Sequence, residues 1–402
     1  MTSRERVQAA LNHQQPDRVP LDIGGSRVTG IHVRAYQALR EYLGLRGDPP
    51  RVYDLMQMLA LVEPDMLDLL GIDVIPLHRR EIIWGLGTER WQPWQLWDGT
   101  PVQVPAGFAP KVQANGDLLV YHDGHPAARM PRGGDFFDSV PEAIAARVRP
   151  EDFNPPLLTD DELQWMHEQA RRLHAGTDKA ILGGLYVGNL FEIYLGGFEE
   201  WMVTLHTDPA YVHAIYDRLT ANWIANLKLY DEAVGQYICA VVFCDDLGTQ
   251  RGEWVRRDLF EERVAPHYHR VFGWMHEHTN LKVFLHSCGS IWNLLPVLVD
   301  VGVDILNPVQ CSAANMDPAA LKREFGDKLV FWGGGVDTQQ VLPFGTPDEV
   351  RAQTRERLDI LAPGGGFVFN TVHNILPEVP PENLLAMVET VHAWPGTPEP
   401  LA

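Results

Sequence analysis

Eight short apolar runs alternate with stretches of helical periodicity along the 402 residues of this chain. Most of the runs are continuously apolar, as expected of parallel strands that are buried on both faces. We predict strands at residues 19–23, 72–76, 180–185, 238–243, 282–286, 303–307, 329–332 and 366–370. Strands that alternate with helices indicate βα units, and eight such units favour an α/β fold of the (β/α)₈ TIM-barrel type over an open sheet.

One segment, residues 84–138, interrupts this alternation after the second predicted strand. It contains four tryptophans, two turn-forming Asp-Gly dipeptides and short alternating runs, which together predict antiparallel β-structure. The segment is short and rich in Pro and Gly, so we interpret it as a β-rich insertion that forms a flank or lid. Residues 1–402 are therefore expected to form a single domain, and the tryptophans are expected to serve packing more than ligand stacking.

The chain carries 33 Lys and Arg residues against 53 Asp and Glu residues, a formal net charge of −20. An acidic surface repels phosphate backbones and anionic lipids, so neither nucleic acid nor a membrane is an expected partner. No apolar stretch approaches the roughly 18–20 residues needed to cross a bilayer, and the N-terminus lacks the apolar core of a signal peptide. Four cysteines in this length do not form a disulfide scaffold. These features predict a cytoplasmic protein with reduced thiols.

The sequence offers a metal site at the carboxyl ends of the predicted strands, where barrel enzymes place their chemistry. His286 and Cys288 follow the fifth strand, and side chains two residues apart in an extended segment point the same way. His373 follows the eighth strand at the same rim. A catalytic zinc commonly takes three such ligands and keeps one open position, so we predict these three residues as metal ligands. The alternative is a hydrogen-bonded His–Cys pair without a metal, in which His373 is an acid or a hydrogen-bond donor.

Further polar residues follow the other predicted strands. They comprise the candidate catalytic residues Glu192, Asp245, Asn307 and Gln310 and the candidate substrate-binding residues Tyr186 and Asp337. Glu192 or Asp245 would orient a substrate or relay a proton, and Asn307 and Gln310 would contact the substrate. The structural alternatives are a capping or salt-bridged Glu192, or Glu192 as a fourth metal ligand. For Asp245 they are a turn cap or a partner of a metal-bound histidine.

The chain resembles the uroporphyrinogen decarboxylase superfamily over nearly its whole length, and several stretches carry the resemblance. They are Gly197-Phe198-Glu199 with Asp208-Pro209, Asp245-Asp246-Leu247-Gly248, and the C-terminal third from His286 to Ala393. Within that third, residues 303–310, 331–339 and 373–383 are the most specific. The resemblance implies a (β/α)₈ barrel, in agreement with the strand count, and it implies a homodimer, which is common in the family.

One branch of that superfamily comprises true decarboxylases, which grip substrate carboxylates with an Arg-Gln-Ala-Gly-Arg loop near the N-terminus. The matching residues 24–30 read Gly-Gly-Ser-Arg-Val-Thr-Gly, so only Arg27 remains as a substrate-binding residue. Glu192 stands at the place of the decarboxylase tyrosine, and His373 at the place of the C-terminal histidine. The resemblance therefore keeps metal-free decarboxylation of a carboxylated substrate as an alternative, with His373 and a rim carboxylate as acid and base.

The other branch contains zinc-dependent, corrinoid-linked methyltransferases with a His-x-Cys pair and a distant third cysteine. His286 and Cys288 match the pair, and His373 takes the place of the third cysteine. The chain resembles this branch more closely, which implies Zn²⁺ and methyl transfer between a small-molecule substrate and a corrinoid. The one Asp-x-His sequence, residues 123–125, is followed by Ala128 where the corrinoid motif has Gly, so the corrinoid is expected on a separate partner protein. A non-catalytic ligand-binding barrel is the third hypothesis.

Overall fold

The structure is a computed structural model that describes residues 1–141, 145–184, 189 and 191–395. Its helices are α1 Ser3–Leu11, α2 Val33–Tyr42, α3 Pro64–Leu69, α4 Asp160–Gly176, α5 Phe198–Thr207, α6 Pro209–Val234, α7 Arg257–Arg263, α8 Ala265–His278, α9 Leu295–Asp300, α10 Pro318–Phe325, α11 Val341–Phe344, α12 Pro347–Leu361 and α13 Pro381–Ala393. Helices α1 and α12 begin with capping boxes, in which Thr2 and Thr346 exchange hydrogen bonds with Glu5 and Glu349. Within the described chain, no helix has the length and apolarity that a membrane crossing requires.

The described residues form the following strands, seven of which make up one large parallel sheet. They are β1 Val52–Asp54, β2 Leu59–Ala60, β3 Val74–Leu77, β4 Glu81–Ile82, β5 Leu86–Gly87, β6 Trp91–Gln95, β7 Pro101–Pro105, β8 Lys111–Val112, β9 Leu118–His122, β10 His125–Met130, β11 Asp138–Ser139, β12 Ala180–Gly184, β13 Ala240–Cys244, β14 Lys282–His286, β15 Ile305–Asn307, β16 Val330–Trp332 and β17 Phe367–Val368. Seven of them form the sheet, in the order β17-β16-β15-β14-β13-β12-β3. Each of the seven overlaps a predicted run, so the α/β architecture with a curled parallel sheet is confirmed.

The run at residues 19–23 does not form a regular strand, which corrects the prediction. Leu21 makes a single parallel bridge to Phe369, and its carbonyl accepts the N–H of Asp73 at 2.8 Å. Pro20 lies inside the run and has no N–H to donate, so a longer ladder cannot form. These bonds nevertheless place the segment between the two edges of the sheet, beside β17 on one side and β3 on the other.

Alternate residues of the parallel strands form a buried cluster together with residues of α1. It contains Val74, Ala180, Leu182, Ala240, Val242, Phe284, Ile305, Val330, Trp332 and Val368. The residues between them, such as Val283 and Leu285, belong to the larger core that also includes the helices. This separation has the period of two expected of extended strands. His286 continues the series that contains Phe284, so the alternation places its imidazole on the inner side of the sheet.

Between β3 and α4 the chain forms short antiparallel strands. Strand β4 pairs with β5, β6 pairs with β7, and β8 to β11 form a four-stranded sheet. The ring of Phe108 packs against Trp84, Trp94 and Phe137, with centroid distances of 6.3, 5.7 and 5.8 Å. These two tryptophans therefore contribute to packing, while the role of the segment as a flank or lid stays a prediction.

A buried carboxylate ties residues 19–23 to the sheet. Asp73 is 0% exposed, and it accepts hydrogen bonds from Arg6 at 2.7 Å, from Arg18 at 2.7 and 2.9 Å, and from the Leu21 N–H at 2.9 Å. Helix α1, the 19–23 segment and the start of β3 thus meet at one ion-pair network. Breaking such a network by removing one partner leaves the remaining charges without compensation.

We expect Asp73→Ala to lower the free energy of unfolding by about 3–5 kcal/mol, because it leaves two guanidinium groups without their buried acceptor. Asp68→Ala is the control, since the Asp68 side chain is 78% exposed where it pairs with Lys179. Because the Asp68 carboxylate is exposed and the buried Lys179 keeps its hydrogen bond to the Ile72 carbonyl, this pair should contribute about 0–1 kcal/mol. Chemical denaturation followed by circular dichroism measures both variants, and equal losses would contradict the role given to Asp73.

Candidate metal centre

The loop after β14 holds Cys288 by contacts with the neighbouring loop after β13. The N–H of Cys288 donates to the Asp246 carboxylate at 2.7 Å. Gly289 has a φ of +89°, where other L-residues are strained, and a Cβ there would lie 2.5 Å from the carbonyl carbon of Gly248. The loop conformation therefore requires glycine directly after the thiol, and the two loops together fix the position of Cys288.

His286, Cys288 and His373 meet at one point of the rim, although His373 follows a different strand, β17. Their ligand atoms all lie within 4.8 Å of one another. The Sγ of Cys288 is 3.4 Å from the Nε2 of His286, and the centroids of the two imidazole rings are 5.5 Å apart. The structure thus brings together the three side chains that the sequence predicts as metal ligands.

Asn307 fixes the tautomer of His286. The Nδ2 of Asn307 donates to the Trp332 carbonyl at 2.7 Å, so its Oδ1, which lies 2.6 Å from the Nδ1 of His286, must be an acceptor. The Nδ1 of His286 therefore carries the ring proton, and the lone pair of Nε2 points toward Cys288. Metal-binding histidines commonly donate their second ring N–H in this way.

The three donors fit a zinc ion. Bonds of about 2.0–2.1 Å to nitrogen and about 2.3 Å to sulfur at a tetrahedral angle place the two donors about 3.5 Å apart. The distance between the Nε2 of His286 and the Sγ of Cys288 is 3.4 Å. Two imidazoles and one thiolate are a donor set that zinc accepts, and they leave a fourth position for another ligand.

Burial favours the uncharged form of each donor. It lowers the pKa of His373 to about 4, with a smaller contribution from His286, and it also lowers the pKa of His286. Burial and the Asp246 carboxylate raise the pKa of the Cys288 thiol well above its ordinary value. Neutral imidazoles bind a metal without losing a proton, whereas the thiol must lose one on binding.

A family model described as Uroporphyrinogen decarboxylase (URO-D) matches residues 140–394. The chain belongs to the uroporphyrinogen decarboxylase family. The matched region includes six strands of the parallel sheet, β12 to β17, and all three candidate ligands. Membership confirms the resemblance that the sequence motifs indicate.

Two curated relatives represent different activities within this family. The chain is 29% identical to the uroporphyrinogen decarboxylase of Serratia proteamaculans over 202 residues, which are 50% of this chain and 53% of the relative. It is 25% identical to the methylated-thiol–coenzyme M methyltransferase of Methanosarcina mazei over 206 residues, 50% of each chain. The chain therefore spans about half the length of the curated relatives it matches.

A solved structure extends the likeness to nearly the whole chain. A methyltransferase from Methanosarcina mazei superimposes with a TM-score of 0.61 over 98% of both chains, at 18% sequence identity. Identity at this level shows a shared fold. The barrel-like architecture, the family and the presence of methyltransferases among the relatives are thus established together.

The two candidate catalytic carboxylates, Glu192 and Asp245, lie beside each other. Asp245 is 0% exposed, its Oδ1 accepts the N–H of Glu192 at 2.9 Å, and its Oδ2 accepts the hydroxyl of Tyr268. Burial and the charge of Glu192 raise the pKa of Asp245 to about 7. Asp245 therefore holds the backbone of Glu192 in place, and its predicted role toward a substrate stays a prediction.

The carboxylate of Glu192 is held on both sides. Its Oε2 accepts a hydrogen bond from Asn189 at 2.8 Å, and its Oε1 accepts one from the Tyr194 hydroxyl at 3.2 Å. Burial and the nearby charge of Asp246 raise the pKa of Glu192. Among the described residues, the group of mutually close donors does not include Glu192, which argues against a fourth-ligand role.

Asn307 and Gln310 take different positions relative to the candidate metal centre. Asn307 is 0% exposed behind His286 and holds the ring of this candidate ligand, while its predicted contact with substrate stays a prediction. Gln310 accepts the N–H of Gly289 at 2.7 Å and lines a cavity of about 220 Å³. This cavity is also lined by both Cys288 and His373.

The predicted substrate-binding residues lie apart. Asp337 lines the 220 Å³ cavity and accepts the N–H groups of residues 339 and 340 at 2.8 and 2.7 Å. Arg27 lines a second cavity, of about 310 Å³, and its Nε lies 3.3 Å from the carboxylate of Asp54. Tyr186 lies outside the described residues.

Sequence reasoning missed two residues near the rim. Tyr268 donates its hydroxyl to Asp245, but it lies within α8 among apolar residues and nothing in the sequence distinguishes it from a core aromatic. His78 directly follows β3 and lines the Arg27 cavity. The strand-end rule that selected the other candidates applies to His78 as well and could have identified it.

We expect Asn307→Ala to convert His286 into a mixture of its two neutral tautomers, because the fixed acceptor for the Nδ1 proton is lost. Heteronuclear NMR of histidine-labelled protein reports which ring nitrogen carries the proton. Asn293→Ala is the control, since Asn293 is exposed and contacts Glu253 at 3.3 Å away from the centre. An unchanged His286 tautomer in Asn307→Ala would show that another group orients the ring.

Proposed function

We propose that this protein is a zinc-dependent enzyme that transfers a methyl group between a small-molecule substrate and a corrinoid protein. The observation that carries the proposal is the convergence of His286, Cys288 and His373, whose ligand atoms lie within 4.8 Å of one another. The Methanosarcina relatives support it, because both are named as methyltransferases. The name of one of them also specifies a methylated thiol as its methyl donor.

The two imidazoles and the thiolate of Cys288 would hold the ion, and Asn307 would keep the Nε2 of His286 available to it. When bound at such a site, zinc would act as a Lewis acid that polarises a substrate heteroatom, and it has no redox chemistry of its own. The set has one thiolate, so it neutralises only one of the two charges of the ion. This residual positive charge suits attraction of an electron-rich sulfur or oxygen of the substrate.

The chain's own residues would position the reacting group beside these ligands. The 220 Å³ cavity is lined by polar side chains, among them Gln250, Gln310 and Thr338, in addition to Cys288 and His373. Gln310 is anchored through the N–H of Gly289, so its place relative to Cys288 is set by the backbone. These contacts would orient a small polar group next to the candidate ligands.

Glu192 is the carboxylate that we propose to face the substrate from the other side of the centre. Its neighbours Asn189, Tyr194 and Asp245 hold both its side chain and its backbone N–H in place. A carboxylate restrained at several points loses little freedom when a substrate binds. Glu192 would therefore orient a substrate hydroxyl, amine or bound water, or relay its proton.

A corrinoid would reach this site on a partner protein. The only Asp-x-His sequence of the chain, residues 123–125, forms the tight connection between β9 and β10. That connection is a hairpin turn of the antiparallel sheet and not a strand end of the barrel. A separate corrinoid carrier that docks over the barrel rim is the arrangement consistent with this proposal.

The metal site predicts about one equivalent of zinc per chain, lost in His286→Ala and in Cys288→Ser. Asn307→Ala should bind the ion about 10–100-fold more weakly, because it removes only the support of His286. Elemental analysis after zinc loading and removal of unbound metal measures the stoichiometry, and competition with a chromophoric chelator measures the affinity.

Cys311→Ser is the matched control for Cys288→Ser. The Sγ of Cys311 lies 3.4 Å from the Val309 carbonyl and is outside the group of three ligand atoms. Its substitution should leave zinc binding unchanged. Binding of less than about half an equivalent of zinc by the wild type, with no loss in His286→Ala, would contradict the proposed metal site.

Decarboxylation is the second candidate function, because the family model and the Serratia relative carry that name. The two candidates differ in their need for a metal. Methyl transfer from a methylated thiol to reduced free cobalamin, followed by the visible spectrum of the cobalt centre, should disappear in chelator-treated protein and return with zinc. Release of carbon dioxide from a carboxylated substrate in strong chelator, with no methyl transfer under any condition, would favour the decarboxylase.

A further inference from the structure

A second cavity, of about 310 Å³, lies at the same rim as the candidate metal centre. Its lining includes Leu77 and Gly184, the last residues of β3 and β12, and Val242 of β13. In the register of the sheet Val242 pairs with Phe284. Phe284 lies two residues before His286, so the two side chains point to the same face of the sheet. The cavity therefore opens on the inner side of the sheet, next to the strand that carries the first metal ligand.

The chain also connects this cavity to the other side of the centre. The carbonyl of Arg27, a lining residue, accepts a hydrogen bond from the Nδ2 of Asn374 at 3.0 Å. Asn374 directly follows His373 in the sequence. The backbone of a lining residue is thus hydrogen-bonded to the loop that carries His373.

Most of the lining is apolar. Met56, Leu77, Ile82, Leu182 and Val242 contribute hydrophobic side chains to it. Such a surface gains free energy by excluding water around an apolar ligand. The body of the ligand is therefore expected to be hydrocarbon-like and small enough for a cavity of this volume.

The two arginines of the cavity already have partners. The Nε of Arg27 is 3.3 Å from Asp54, and the Nε of Arg79 is 3.0 Å from Glu162. Glu81 adds a further carboxylate to the lining. Among the described lining residues, positive charge is thus matched or exceeded by negative charge, so an anionic ligand would meet no net attraction.

The side chain of His78 lines the cavity. Its buried Nε2 has no hydrogen bond within the described structure. The His78 ring packs against Tyr53, with ring centroids 4.6 Å apart and an interplanar angle of 53°. Burial lowers the pKa of His78 to about 4, so the imidazole is neutral and offers its ring nitrogens for hydrogen bonds without a charge. A buried polar atom of this kind is stabilised when a ligand supplies the missing hydrogen bond.

We propose that this cavity recognises the body of the substrate, and that the substrate is a small uncharged molecule with an apolar frame and one hydrogen-bonding group that meets the imidazole of His78. The inference deepens the proposed methyl transfer, on which its role in catalysis rests, by naming the class of methyl donor. It distinguishes this chain from enzymes that grip several substrate carboxylates, since its arginines are committed to ion pairs.

Three probes with one frame test the selectivity: methyl phenyl sulfide, its para-hydroxy derivative and its para-carboxylate derivative. Isothermal titration calorimetry on the full chain should give the tightest binding for the hydroxy derivative. The carboxylate should bind at least about tenfold more weakly than the hydroxy derivative, because it gains no net electrostatic attraction and must lose its hydration.

His78→Phe keeps a ring packed against Tyr53 and removes both ring nitrogens. It should weaken the hydroxy derivative about tenfold, to the level of methyl phenyl sulfide, and leave methyl phenyl sulfide unchanged. His174→Phe is the matched control, because His174 also packs on a tyrosine, Tyr237, with ring centroids 5.5 Å apart. That substitution lies on α4, away from the cavity, and should change none of the three affinities.

The same titrations in the His286→Ala background separate this inference from the metal site. Probe binding that persists there supports the cavity even where zinc binding is lost, and zinc binding without probe selectivity supports the metal centre alone. The proposal is overturned by equal or tighter binding of the carboxylate, by no effect of His78→Phe on the hydroxy derivative, or by no measurable binding of any probe.

Discussion

The candidate site depends on the register between two parallel strands, in which His286 of β14 pairs with Asn307 of β15. Paired residues of adjacent parallel strands direct their side chains to the same face of the sheet. The sheet therefore supplies both the ligand and the amide that orients it, without any contribution from loop conformation. The carbonyl of Trp332 on β16 extends this order to a third strand, because it decides which way the amide points.

The acidic groups at the rim share raised pKa values. Burial raises the pKa of the Cys288 thiol, of Glu192 and of Asp245, and neighbouring carboxylates raise each of them further. Several acidic groups therefore share a small, poorly solvated space. A divalent cation is the group that reverses this repulsion, since it becomes the largest local charge of a site. The acidic surroundings of the donor set thus support the metal that we propose.

Much of the fold could be predicted from the sequence because continuous apolar runs reveal strands buried on both faces. The same rule failed at residues 19–23, where Pro20 removes a donor and Asp73 replaces backbone pairing with side-chain bonds. The meeting of His286, Cys288 and His373 could be anticipated because parallel strands bring their carboxyl ends to one rim. The roles of Asn307 and Asp245 could not, because they depend on partners from distant parts of the chain that no local pattern reveals.

Because of Gly289, the position of the Cys288 thiol depends on both the loop after β14 and the loop after β13. With a backbone that only glycine adopts easily and with the Gly248 main chain directly against it, this residue leaves the β14 loop no independent freedom to shift. Substitutions in one of these loops therefore constrain substitutions in the other. A change in the spacing of the candidate ligands would need compensating changes in both loops. New specificity is easier to acquire at the outer walls of the barrel mouth, where side chains can vary while the metal-facing backbone stays the same.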